Sequence, residues 1–146
     1  MSMPQLTCAS ATLRRASRSV SRLYDEQMQD AGMRVTQFTL LQVLEKASPI
    51  AQGRLGEVLA LDSTTLTRSL KLVEKEGWVT SAPGDDRRER HFSITAKGKK
   101  QLQIAKERWR QAQSKLRKHL NAGDWEQFMA LADRITEAAI AAREST

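Results

Sequence analysis

The most restrictive feature of this sequence is a helix signal that runs straight into two short alternating segments. In DSTTLTRSLKLVEKEG (62–77), Asp62-Ser63-Thr64 is a strong N-cap signal. Leu66, Leu70 and Val73 then recur on one face, and Gly77 follows the last turn as a left-handed C-terminal residue does. Directly after it, WVTSA (78–82) and RHFSIT (90–95) have the alternation of strands, with a turn signal at Pro83-Gly84. A helix feeding a hairpin within so short a span leaves few architectures open.

The flanks are helical. From Leu13, the residues Ala16, Val20, Leu23, Tyr24 and Met28 follow at helical spacing, and Gly32 ends the run. VTQFTLLQVLEKA (35–47) predicts a second helix, with Thr36 as its cap and Phe38, Leu41 and Leu44 inside; Ser48-Pro49 stops it. GRLGEVLAL predicts a short helix anchored by Leu55, Val58 and Leu59. After Thr95 a long helix carries Leu102, Ala105, Trp109, Ala112, Leu116 and His119 or Leu120 in a heptad-like seam. Asp124 with Gln127 predicts a capping box for a last helix, on which Trp125, Phe128, Ala132, Ile135, Ala139 and Ala142 repeat the spacing. Trp109, Trp125 and Phe128 are read as core residues. The expected fold is a mainly α single domain with a small β-hairpin wing, and 146 residues suffice for its core.

Charge narrows the function. Lysine and arginine number 24 against 17 acids, a net +7 that favours a polyanionic partner. The excess is local: residues 87–100 hold six basic side chains and one acid, whereas 49–100 hold ten and seven. One cysteine, Cys8, rules out an internal disulfide and suits a reducing compartment. The opening MSMPQLTCAS has no long apolar core, and no apolar run approaches a membrane span, so a cytoplasmic location without membrane contact is expected. His91, His119 and Cys8 lack metal-ligand spacing and no glycine-rich phosphate loop is present. Neither an enzyme nor a cofactor is expected.

Two helices, a second helix polar on its outer face, and a charged hairpin make a winged helix-turn-helix organisation. Such a helix enters the major groove of double-stranded DNA, where small polar and basic side chains meet base edges. The candidates here are Ser63, Thr64, Thr65, Thr67, Arg68 and Lys71, with Lys71 as a phosphate binder. In the wing, PGDDRRERHFSIT sets Asp85, Asp86 and Glu89 among Arg87, Arg88 and Arg90. A solvated loop is the plain reading of mixed charge. Next to a polar helix face, the sharper reading is a wing tip. There Arg87 or Arg88 reaches the minor groove, Arg90 meets phosphate or pairs, and the acids hold the arginines through ion pairs.

These segments in order, VTQFTLLQVLEKA, LGEVLALDSTTLTRSLKLVEKEGWV and DDRRERHFSITAKG, resemble the MarR family of bacterial transcriptional regulators. Ile94 stands where leucine is usual. Gly56 stands where alanine is common, a departure expected to loosen the first helix of the reading head. The resemblance implies a DNA-binding lobe at about residues 34–100 and dimerisation helices at about 6–31 and 101–143. It implies a homodimer on a palindromic operator, a repressor released by a small aromatic or phenolic effector, and Asp86 pairing with Arg88 to set the wing.

The resemblance also places an effector pocket near Tyr24 and Phe38, where one of Arg15, Arg18 or Arg22 would meet a carboxylate. Some relatives sense oxidants through a first-helix cysteine. Here Ser10 falls nearer that position than Cys8, so a thiol sensor is the alternative reading. A nonspecific DNA-packaging protein or a winged-helix interaction module is the reading from another class.

Overall fold

The computed structural model describes Ser2 and residues 4–145. Helix α1 (Ala9–Met28) turns only its C-terminal end inward, burying Tyr24 and Met28, while Leu13 stays 45% exposed. A 3-10 turn (Gln29–Ala31) follows, and Gly32 closes it at φ 66°, a conformation open to glycine at little cost.

Helix α2 (Val35–Ala47) starts ahead of Thr36, which lies inside it and does not cap it. The cap comes from elsewhere: an Asp25 carboxylate oxygen on α1 accepts the Val35 N–H at 2.8 Å, and the Gln37 side chain accepts the Arg34 N–H at 3.0 Å. Phe38, Leu41 and Leu44 are fully buried, as their spacing predicts.

Strand β1 (Ile50–Ala51) leads into α3 (Gln52–Leu59). Leu55 is buried there, but Val58 is half exposed, contrary to its expected anchoring role. An eight-residue helix turns one narrow face inward, and Leu55 and Gly56 fill it. Helix α4 (Ser63–Lys75) buries Leu66, Leu70 and Val73 on one stripe. Gly77 then reverses the chain at φ 77°.

Strands β2 (Val79–Pro83) and β3 (Arg90–Ile94) pair antiparallel from Val79↔Ile94 to Pro83↔Arg90. β1 adds to the far side of β3 through Ile50↔Phe92 and Ala51↔His91, giving the order β1-β3-β2. Two residues are too few to show alternation, so this strand is silent in the sequence.

Helix α5 (Ala96–Lys118) opens beneath the hairpin. The Thr95 hydroxyl accepts the Gly98 N–H at 3.0 Å and donates to the Gly77 carbonyl at 2.7 Å, joining helix start to strand start. Leu102, Ala105 and Ala112 are buried, Trp109 stacks on Phe38 with ring centroids 5.4 Å apart, and Lys106 pairs with Glu45 of α2 at 3.3 Å.

The chain forms two compact units, residues 1–112 and 113–146. The first holds the apolar core just described. The second holds the end of α5 and α6 (Asp124–Glu144), where Arg117 lies 4.9 Å over the Trp125 ring and Trp125 meets Phe128 edge-on. α6 buries none of its side chains: Phe128, expected in a core, is 54% exposed, and Met129, Leu131, Ile135 and Ile140 are exposed beside it. Its start also differs from a capping box. Gly123 (φ 87°) occupies the N-cap, and the Asp124 carboxylate accepts the Asn121 N–H at 2.8 Å.

Candidate nucleic-acid interface

The candidate reading head is α3, α4 and the β2–β3 hairpin. Asp62 caps α4 twice over, one carboxylate oxygen accepting the Thr65 N–H and the other the Thr65 hydroxyl, both at 2.8 Å. The Thr65 N–H, then its hydroxyl, holds the Asp62 carboxyl below its ordinary value of 3.8. At Gly56 a Cβ would stand 3.2 Å from the Leu61 carbonyl and 3.4 Å from Leu66 Cδ2. The glycine therefore brings α3 close to α4, and the expectation of a loosened helix is replaced by one of tight approach.

The face of α4 opposite Leu66, Leu70 and Val73 is open. Ser63, Thr64, Arg68 and Lys71 are exposed. The other two candidates are committed internally. The Thr65 hydroxyl belongs to the cap, and the half-buried Thr67 hydroxyl donates to the Ser63 carbonyl at 2.7 Å while accepting from the Gln52 side-chain amide at 3.0 Å. Gln52 is absent from the sequence-based set, because a glutamine opening a short helix carries no motif.

The hairpin tip is built by main chain. The Gly84 N–H donates to the Glu89 carbonyl and the Glu89 N–H to the Asp86 carbonyl, each at 2.9 Å. The predicted Asp86–Arg88 pairing takes another form: the Asp86 carboxylate accepts the Arg88 backbone N–H at 3.0 Å, a local turn bond. Among the described residues, no ion pair engages Arg87, Arg88 or Arg90, so the acids do not hold the guanidinium groups as expected. On this tight turn the Arg88 backbone N–H lies within reach of the Asp86 carboxylate and takes the bond that an ion pair would have used. Arg87 and Arg88 are exposed, and Arg90 donates to the Ser81 hydroxyl across the hairpin at 2.7 Å. Glu89 faces His91 at 3.5 Å.

Two of the residues assigned to an effector pocket, Tyr24 and Phe38, are buried in this chain. Phe38 has no exposed surface and is stacked on Trp109; Tyr24 is 6% exposed, and burial raises its hydroxyl pKa above the ordinary 10.0. Arg15 donates to the Pro4 carbonyl at 3.2 Å, while Arg18 and Arg22 are exposed on α1. A cleft of about 480 Å³ lies elsewhere, lined by Asp25, Glu26, Gln29, Gly32, Met33, Arg34 and Gln37. Cys8 is exposed at the N-cap of α1. Among the described residues, no cluster of three or more His, Cys, Asp or Glu side chains could hold a metal ion, and no helix is long and apolar enough to cross a membrane.

Comparison with known proteins agrees with this geometry. A model of the MarR family matches residues 31–89, from the turn after α1 to the wing tip. The transcriptional regulator MosR of M. tuberculosis, solved in complex with DNA, is 32% identical, with a TM-score of 0.85 over 93% of this chain and 98% of that one. The PcaV regulator of Streptomyces coelicolor, solved with its natural ligand, shares the fold at 20% identity, with a TM-score of 0.82 over 95% of this chain and 99% of that one. The uncharacterised HTH-type transcriptional regulator YwoH of Bacillus subtilis is 26% identical over 91 residues, which cover 62% of this chain and 66% of that protein, just under two thirds of it. With its helix-turn-helix, its wing and a full-length relative at this identity, the chain belongs to the MarR family of DNA-binding, winged-helix transcriptional regulators.

Proposed function

We propose that this chain is a repressor that binds a palindromic operator as a cytoplasmic homodimer and leaves it when a small aromatic effector binds. The observation that carries the reading is the pairing of α4's open polar face, Ser63, Thr64, Arg68 and Lys71, with a wing whose exposed Arg87 and Arg88 form no ion pair among the described residues. Unpaired guanidinium groups at a turn tip are available to the narrow minor groove, and the α4 face to the adjacent major groove. Arg90, tied to Ser81, supports the hairpin and meets phosphate. MosR, solved on DNA, supports the same use of the fold.

Residues about 34–100 form the DNA-binding lobe of one MarR-type domain, and about 6–31 and 101–143 its dimerisation helices. The exposed apolar side chains of α6, Phe128 to Ile140, support the dimer, since so many on one helix of a monomer would be left in water. Footprinting on randomly selected high-affinity duplexes, with light scattering at micromolar concentration, tests both. Two protected half-sites about 10 base pairs apart, centre to centre, are expected. A monomer mass, a single half-site or uniform coating of all DNA overturns the reading, and uniform coating marks a packaging protein.

For release, the effector is an aromatic acid or its conjugate docked near Tyr24 and Phe38, with Arg18 or Arg22, or Arg15 once freed from Pro4, meeting its charge. Entry requires the Phe38–Trp109 stack to open, which links occupancy to the packing of α2 on α5. A near-complete switch, from 1:99 to 99:1, needs about 5.5 kcal/mol of differential affinity between the two states. PcaV, solved with its natural ligand, motivates the class of effector. Titrating hydroxybenzoates and hydroxycinnamates, free and as coenzyme A thioesters, into the DNA complex checks it. Release by peroxide alone, abolished by Cys8→Ser, would replace this effector with the thiol.

A further inference from the structure

We propose that Gln52 is a positioning residue for sequence reading: through Thr67 it holds the recognition helix at a set angle to the wing. The inference rests on the DNA-binding reading above and deepens it.

Gln52 is the first residue of α3, next to β1, whose Ala51 pairs with His91 on the stem of the wing. Its side-chain amide donates to Thr67 Oγ1 at 3.0 Å, and that hydroxyl donates onward to the Ser63 carbonyl at 2.7 Å. A continuous path thus runs from the hairpin stem through Ala51 and Gln52 to the first turn of α4. Gln52 and Thr67 are both half buried, which partly shields the bond between them from competing water, whereas the Thr67–Ser63 bond is exposed.

The Thr67 hydroxyl has one proton, and Ser63 takes it. Its lone pair toward α3 is taken by Gln52. Thr67 therefore has no hydroxyl proton to offer DNA, and only its second lone pair and its methyl group remain for a base edge. The Thr65 hydroxyl is committed to Asp62 in the same way. Base reading then falls to Ser63, Thr64 and Arg68, whose placement depends on the α3–α4 angle that Gln52 holds. Phosphate contacts tolerate a small rotation of the helix, because a charge interaction is weakly directional. Base-edge hydrogen bonds do not.

The test compares wild type, Gln52→Met, Thr67→Val and the double variant. The probes are a duplex selected by the wild type from a randomised pool and a scrambled duplex of equal length, at one salt concentration and then across a salt series. Gln52→Met keeps the length of the side chain and removes its donor. It should lower affinity for the selected duplex about fivefold, the equilibrium equivalent of one base-edge hydrogen bond lost when α4 is misplaced. Affinity for the scrambled duplex and the log-affinity versus log-salt slope should stay put, while the urea midpoint falls slightly, because the Gln52–Thr67 bond is also lost from the folded protein. In the Thr67→Val background, adding Gln52→Met should change nothing further, because the residue acts through Thr67.

Additive losses in the double variant overturn the inference and make Gln52 a DNA contact in its own right. An unchanged ratio of selected to scrambled affinity, or an equal loss on both, overturns it as well and leaves the bond a purely structural one. A wild type that shows no preference between the two duplexes fails earlier, by refuting the regulator reading itself and this inference with it.

Discussion

Gly98→Ala should destabilise the protein by about 1–3 kcal/mol, although alanine is the better helix former by about 1 kcal/mol. Gly98 sits in the first turn of α5, buried against the hairpin. A Cβ built there overlaps the Trp78 carbonyl oxygen and stands 2.8 Å from Ile94 Cγ1 and 3.0 Å from the Trp78 carbonyl carbon. Carbon atoms pack favourably at about 3.5–4.0 Å, so the backbone at Trp78, just ahead of β2, has to retreat by most of an ångström. That carbonyl also accepts the Thr95 N–H at 2.9 Å, a bond that loosens as it moves. Overpacking of this kind costs about 1–3 kcal/mol, and the weakened hydrogen bond adds about 1 kcal/mol. Subtracting the gain in helix propensity leaves the figure above. Gly53→Ala is the internal control, because nothing lies within 4 Å of a Cβ there. It should be neutral or stabilise by up to about 1 kcal/mol. Urea unfolding at one fixed protein concentration compares them, since self-association shifts apparent stability. If Gly98→Ala is as stable as wild type, or the two variants shift alike, the close approach of α5 to Trp78 is wrong.

Arg88→Ala should abolish a gel shift on the selected duplex while moving stability by no more than about 0.5 kcal/mol, because the wing tip lies outside the core; unchanged affinity would make the hairpin a solvated turn. Lys71→Ala should weaken selected and scrambled DNA alike and reduce the magnitude of the log-affinity versus log-salt slope by about 0.9 if one phosphate contact is lost. Loss of sequence preference at a constant slope would make Lys71 a base reader. Asp62 gives a pH test with a definite sign. The Thr65 N–H and hydroxyl lower its carboxyl pKa on folding, so its stabilising contribution is complete above the ordinary 3.8 and is lost as pH falls through the lowered folded value. The stability gap between wild type and Asp62→Ala, followed by denaturant titration, should hold steady down to the carboxylate range and then shrink; a gap that widens on acidification refutes the cap.

Part of this protein was legible from its sequence alone, and the legible parts share a cause. The stripe Leu66, Leu70, Val73, the Asp62 cap, the left-handed Gly77 and the alternating run before Thr95 are each decided by residues within one or two turns of one another. Local sterics and short-range hydrogen bonds specify such features wherever the segment is placed, and together they made the helix-turn-helix and its wing readable. The set of candidate DNA-contact residues followed from the same periodicity, as the side chains left over when the apolar stripe is removed.

What the tertiary structure decided depends on contacts between residues far apart in the chain. The cap of α2 is Asp25, ten residues before Val35, and not Thr36. β1 exists because Ile50 finds Phe92, and Ser48 gains a structural role because its hydroxyl accepts the Ile94 N–H at 3.0 Å. Gly98 is required by the Trp78 backbone, which a Cβ would overlap, and Gly56 lets the Leu61 carbonyl pass close beside it. The directions of the Thr65 and Thr67 hydroxyls on α4, and hence what they leave for DNA, are settled by Asp62, Ser63 and Gln52. Periodicity states which face of a helix a residue occupies. It is silent on whether a neighbour already holds that residue's proton, because a hydrogen bond is fixed by distance and angle in three dimensions.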